Sequence, residues 1–209
     1  MCAQQRIALY GGTFDPVHVG HLEIARKVSQ LFEIEKVLFI PAQVAPHKVG
    51  RPVTEPIHRY AMLALATQDD PQLLISSFEL DAPDRRYTVD TVAHFQGTLG
   101  ESTELFFIMG ADSWAEITTW REWERLLTMT NHIVVTRPGY DPEKARAGTL
   151  SERVFFTDVV MNDVSATNIR RLAREGRFDE LTDLLPEPVL EYIKKYEIYR
   201  ELNEARLNS

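Results

Sequence analysis

Six short apolar runs punctuate the chain: RIALYG (6–11), KVLFIP (36–41), LLISSF (73–78), ELFFIMG (104–110), HIVVTR (132–137) and RVFFTD (153–158). Each is rich in β-branched and aromatic residues and bounded by Gly, Pro or polar turns, the pattern of a buried strand. Between them the apolar positions shift to helical spacing. Leu22, Ile24, Ala25, Val28 and Leu31 form one stripe over 19–32, and Ile57, Met62, Leu63, Leu65 and Ala66 another over 55–68. Shorter helices are predicted at 88–95 and 120–127. Strands separated by helices pair in parallel through right-handed crossovers, with helices on both faces. The pattern therefore predicts an α/β fold, a Rossmann-like, doubly wound, mostly parallel sheet of about six strands. Strand patterns stop at Val160, and helices are predicted at 166–174, 178–184 and 187–204, with Pro186 and Pro188 opening the last. We read this tail as a C-terminal helical cap on a single domain, with a core of about 6–160 and a helical part of about 165–204.

Composition narrows the function. The chain has 209 residues, 44% hydrophobic and 26% charged, which is ordinary for a globular protein. With 23 basic against 31 acidic side chains its formal net charge is −8, which argues against a duplex nucleic-acid partner held by phosphate contacts. The one cysteine, Cys2, can neither close a disulfide within the chain nor build a multi-thiolate metal site. The opening MCAQQRIALYGG lacks the basic and apolar regions of a secretory leader, and no apolar run approaches the roughly 18 residues of a membrane span. A cytoplasmic protein without a membrane partner is expected.

In doubly wound sheets ligands bind at the carboxyl ends of strands, beside helix N-termini. The segment GGTFDPVHVGH (11–21) lies between the first strand and the first helix. Gly11 and Gly12 allow a sharp turn and close backbone approach, Asp15-Pro16 stiffens it, and the helix start offers free amides. His18 and His21, three apart, point the same way. The set suits a polyphosphate, although it is neither a P-loop nor a GxGxxG fingerprint. Singly, each feature reads as a turn or a satisfied core histidine; together they favour a site. A zinc site on the two histidines would need His47 or Asp112 as a third ligand, and nothing in the spacing requires it.

GGTFDPVHVGH closely resembles the signature of the HxGH nucleotidyltransferase superfamily, and in particular the bacterial nicotinate-nucleotide adenylyltransferases of NAD biosynthesis. The resemblance implies that Gly11, Gly12, Thr13, Phe14, His18 and His21 receive the triphosphate of ATP. PAQVAPHKVGR (41–51) resembles a PxxxPHK element, which makes Lys48 a phosphate clamp and places His47 near the acceptor. In RYTVDTV (86–92), Thr88 occupies an N-cap-type position whose amides would take the nicotinate carboxylate. FIMGADSWAEITTWREWERL (107–126) puts Gly110 and Asp112 at a strand end, beside ribose hydroxyls. Its Trp120 matches a position that stacks on the pyridine ring, with the amide of Arg121 facing the carboxylate. RPGY (137–140) places Arg137 near adenine. VSATNIRRL (164–172) resembles [IV]S[ST]TxIR, assigning Ser165, Thr167 and Arg170 to the phosphates, with Ala166 departing from the usual Ser. Each of these segments has a plainer reading as loop, cap or core.

The activity so implied is transfer of AMP from ATP to nicotinate mononucleotide, giving nicotinate adenine dinucleotide and pyrophosphate by direct in-line attack. His18, His21, Lys48 and Arg170 would offset the charge, with Mg²⁺ travelling on ATP as cofactor and no metal site of the protein's own. ATP and nicotinate mononucleotide are the expected partners, and homo-oligomerisation stays open. The alternatives are another acceptor, such as nicotinamide mononucleotide or phosphopantetheine, a non-catalytic nucleotide-binding regulator, or a metal-dependent hydrolase.

Overall fold

A computed structural model describes residues 4–43, 53–81, 87–136, 152–158 and 164–200. Its elements run β1 (Gln5–Gly12), α1 (Val19–Leu31), β2 (Lys36–Pro41), α2 (Pro56–Thr67), β3 (Leu73–Ile75), α3 (Thr88–Leu99), β4 (Thr103–Gly110) and α4 (Ala111–Ala115). After a 3-10 turn at Ile117–Thr119 follow α5 (Trp123–Met129), β5 (Asn131–Val135), β6 (Val154–Thr157) and α6 (Ala166–Arg174). A second 3-10 turn at Phe178–Leu181 precedes α7 (Glu187–Lys195).

The six strands form one sheet in the order β3-β2-β1-β4-β5-β6, and every neighbouring pair is parallel. The strand order reverses between β1 and β4, so the crevice between their carboxyl ends is where this architecture accepts a ligand. Alternation along the two central strands divides the core. Ala8, Tyr10, Phe106 and Ile108 face α1, α2 and the C-terminal helices, while Leu9, Leu105, Phe107 and Met109 face α3, α4 and α5. Among the described residues no helix is long and apolar enough to cross a membrane.

Several expectations change at this level. LLISSF is a strand only to Ile75, because the hydroxyl of Ser76 accepts from the Phe78 N–H at 3.1 Å and that of Ser77 donates to Asp81 at 2.6 Å, turning the chain away. The helix expected at 120–127 starts at Trp123. Glu122 before it is left-handed (φ 51°), so Trp120 and Arg121 lie on an irregular link rather than on a helix. The stretch 178–184 holds only a 3-10 turn, and α7 ends at Lys195. On α2, Ile57 is exposed, whereas Arg59 lies on the buried face with Met62, Leu63 and Thr67.

Candidate functional site

The first loop is shaped by aromatic packing. Gly11 and Gly12 are the last two residues of β1, paired with Ile40 and Pro41 of β2, so they do not themselves make the turn. Two aromatic rings crowd the space a side chain would take there. A Cβ on Gly12 would sit 2.8 Å from Cζ of Phe14, and one on Gly11 3.2 Å from Cζ of Phe107. The change of direction falls instead on Phe14, whose φ of 48° is unusual for a residue with a side chain. Its buried ring is held by edge-on or tilted contacts with Tyr10, Phe39 and His21 at centroid distances of 5.0–5.5 Å.

His18 stands in extended conformation at the N-terminal boundary of α1, and its main-chain N–H donates to Nδ1 of His21 at 3.2 Å. That bond places the ring proton of a neutral His21 on Nε2. The two imidazoles stack, with centroids 3.7 Å apart and planes at 26°. Gly20 makes the pairing possible, since a Cβ there would lie 3.2 Å from His18 Nδ1 and 3.6 Å from Cβ of Val164. Burial lowers the pKa of His18 to about 4, and its Nδ1 has no hydrogen-bond partner among the described residues. A buried imidazole in this state is neutral at pH 7 and gains its proton most readily when an anion arrives beside it.

The start of α6 docks onto the same loop. Arg170 donates from Nη1 to the main-chain oxygen of Asp15 at 2.6 Å and from Nη2 to Thr167 Oγ1 at 3.2 Å. Ser165 occupies the N-cap position, its carbonyl accepting from the Ile169 N–H. Asp15 is buried as well, its two carboxylate oxygens accepting from the Tyr199 hydroxyl at 2.8 Å and the Thr54 N–H at 3.2 Å. Gly11, Gly12, Thr13, Phe14, His18, His21, Ser165, Thr167 and Arg170 are thus drawn from opposite ends of the sequence into one region.

Across β4, Phe107 links this region to a second one. Its ring lies beside Gly11 and meets Trp120 edge-on at 6.4 Å. The Trp120 indole N–H is buried without a hydrogen-bond partner among the described residues. Thr88 is the first residue of α3 and not its cap; the N-cap is Tyr87, whose N–H donates to Asp90 at 3.2 Å. The Arg121 guanidinium sits over the Tyr87 ring at 4.9 Å, bringing the Trp120–Arg121 link to the start of α3. Of the other tryptophans, Trp114 is core and Trp123 packs at its margin. Gly110 caps α4 at the end of β4, with open space where a Cβ would point, so nearby protein atoms do not impose glycine there. Asp112 is exposed on the first turn of α4. Among the described residues no three His, Cys, Asp or Glu side chains converge as metal ligands, so Asp112 does not complete a zinc site with the histidines. His47, Lys48 and Arg137 lie outside the described residues.

A family model described as cytidylyltransferase-like matches residues 9–172, from within β1 to within α6. The probable nicotinate-nucleotide adenylyltransferase of Thermoanaerobacter sp. (strain X514) is 40% identical over 205 residues, covering 95% of this chain and 96% of that protein. The protein of the same name from Thermus thermophilus is 40% identical over 195 residues, covering 93% and 100%. The chain belongs to the nicotinate-nucleotide adenylyltransferase family. Its fold is also that of Plasmodium falciparum nicotinic acid mononucleotide adenylyltransferase, solved in complex with NaAD. The TM-score is 0.76 at 19% identity, over 93% of this chain and 97% of that one.

Sequence reading of this family member missed the residues that hold the site from beneath. Arg59 and Asp15 are buried and Thr54 and Tyr199 half-buried, and their hydrogen bonds tie the loop to α2 and the C-terminal segment. The signal for Arg59 was its place at i, i+3 and i+4 with Met62 and Leu63, on what is otherwise an apolar stripe.

Proposed function

We propose that the chain transfers AMP from ATP to nicotinate mononucleotide, releasing pyrophosphate and forming nicotinate adenine dinucleotide. The observation that carries the reading is the stacked His18–His21 pair at the start of α1, His18 buried and His21 half-buried, with Arg170 anchored to the same loop. In this reading Gly11, Gly12, Thr13 and Phe14 present the loop backbone to the triphosphate, and Ser165, Thr167 and Arg170 approach it from α6. Gly110, Asp112 and Arg137 serve the adenosine. Thr88, Trp120, Arg121 and His47 form the acceptor pocket, and Lys48 adds a cation.

An oxygen of the acceptor phosphate attacks the α-phosphorus of ATP in line, a new P–O bond forms, and the bond to the bridging oxygen of the leaving pyrophosphate breaks. The acceptor phosphate is already largely ionised, so no general base is needed and no enzyme side chain is modified. What the protein supplies is alignment of two anions and donors for the accumulating charge, and good alignment is worth roughly 7–11 kcal/mol. Imidazole, hydroxyl and guanidinium groups suit phosphate oxygens rather than a cation. Mg²⁺ carried on ATP would offset triphosphate charge, while His18, His21, Thr167 and Arg170 would bind phosphate oxygens.

Pyrophosphate release with ATP and Mg²⁺ tests the assignment, with nicotinate mononucleotide, nicotinamide mononucleotide and phosphopantetheine offered separately as acceptors. Strong preference for the first is expected, because helix-start amides favour a carboxylate over a carboxamide. Preference for another acceptor would overturn the acceptor pocket, and silence with all three would overturn the reaction.

A further inference from the structure

Arg59 has no exposed surface, yet it carries a guanidinium. Among the described residues its hydrogen bonds end on main-chain oxygens. Nε donates to Thr54 at 2.9 Å, Nη1 to Thr13 at 2.8 Å and to Ala42 at 2.7 Å, and Nη2 to Gln43 at 3.2 Å. These carbonyls belong to three separate stretches: the turn after β1, the chain leaving β2, and the approach to α2. The Ala42 N–H donates to the Gly12 carbonyl at 2.8 Å, so two of the stretches are also stitched to each other. A buried cation is expensive to desolvate, and a stability role alone is served as well by apolar packing. Its planar fork of donors instead suits fixing several carbonyls at set angles.

One of those carbonyls adjoins the left-handed residue of the first loop. Thr13 immediately precedes Phe14, whose φ is 48°, and such a conformation persists only where its surroundings over-determine it. On the far side of Phe14, the Asp15 carboxylate is held by the Tyr199 hydroxyl and the Thr54 N–H, and its carbonyl by Arg170. The left-handed turn is therefore gripped from both ends, by Arg59 through Thr13 and by Tyr199 through Asp15.

We propose that Arg59 and Tyr199 are positioning residues for the ATP triphosphate, which they do not touch: together they clamp the Thr13–Asp15 turn in the form that aims the loop amides and His18 at the phosphates. The inference rests on the adenylyltransferase reading above. Thr88, Trp120 and Arg121 of the acceptor pocket stand on α3 and the link before α5, whereas the hydrogen bonds of Arg59 and Tyr199 end on Thr13, Asp15, Ala42, Gln43 and Thr54, so loss of the clamp falls chiefly on ATP.

The test uses Arg59→Lys, which keeps the charge and loses the fork, and Tyr199→Phe, which removes a single hydroxyl. Steady-state KM is measured for ATP and for nicotinate mononucleotide, with thermal unfolding in parallel. The expected result is a rise in the ATP KM of roughly tenfold for Arg59→Lys and roughly threefold for Tyr199→Phe. The KM for the mononucleotide should stay within about twofold in both. A merely structural role lowers kcat with the active fraction and leaves both KM values alone; that outcome, or an equal rise in both, overturns the proposal. If Arg59→Lys does not fold, the same split in Tyr199→Phe decides. Absence of pyrophosphate release by the unaltered protein would instead overturn the reaction itself.

Discussion

Gly20 is where packing and catalysis meet in a single residue. Alanine is the better helix former by about 1 kcal/mol, which favours a Gly20→Ala exchange inside α1. Against this, the new methyl would stand 3.2 Å from His18 Nδ1, and such overpacking costs typically about 1–3 kcal/mol unless the neighbour yields. The two effects nearly cancel in stability, and what remains is a displaced imidazole. Gly20→Ala is therefore expected to keep its unfolding midpoint within a few degrees while turnover falls roughly tenfold or more. Urea unfolding and initial rates on one preparation check it. Unchanged turnover would mean that the His18 ring position does not matter.

The start of α3 separates side chain from backbone at the scale of an element. Thr88 is its first helical residue, and Tyr87 before it is extended (φ −103°, ψ 155°). Proline is favoured at a first helical position and accepts an extended predecessor. Thr88→Pro should thus preserve the helix while deleting one amide donor. If that amide receives the nicotinate carboxylate, Thr88→Pro raises the KM for the mononucleotide by roughly tenfold, as expected for a lost charge-assisted hydrogen bond. Thr88→Ala, which keeps the N–H, should leave that KM within about twofold. Similar behaviour of the two variants would place the carboxylate elsewhere. The N-cap reading of Thr88 failed by one residue, because the reciprocal bond from the Tyr87 N–H to Asp90 sets where the helix begins. Propensity at Thr88 alone does not register that pairing.

For the whole molecule, two buried histidines couple stability to pH. Burial holds both His18 and His132 at pKa values of about 4, against 6.5 for an exposed imidazole. His132 has no exposed surface and bonds through Nε2 to the Leu126 carbonyl at 3.1 Å. Below pH 6.5 the unfolded chain takes up protons that the folded one refuses, so stability is full above that pH and declines as pH falls toward 4. By pH 5 the loss should be on the order of 2 kcal/mol per histidine. Urea unfolding at pH 7.5 and at pH 5 measures it. A triphosphate beside His18 favours its charged form, so a non-hydrolysable ATP analogue should flatten the decline. A pH-independent midpoint, or a decline that the analogue leaves unaltered, would contradict this account.

Periodicity was enough to read six strands, their parallel pairing, and the loop between β1 and α1 as the place to look for a ligand. These depend on neighbours near in sequence: alternating apolar positions, residues three and four apart, and polar groups directly after a strand. What belonged to the tertiary structure were contacts across long separations. Gly11 and Gly12 read as turn residues, but it is the rings of Phe107 and Phe14 that crowd the place of a Cβ. The resemblance implies a phosphate role for Arg170, and the fold shows it gripping the carbonyl of Asp15, 155 residues away. Arg59 and Tyr199 left almost no trace in the pattern, one hidden on an apolar stripe and the other in the tail after α7. A polar group withdrawn from solvent is defined by the partners that satisfy it, and here those partners are brought together only by the assembled sheet and its helical cap.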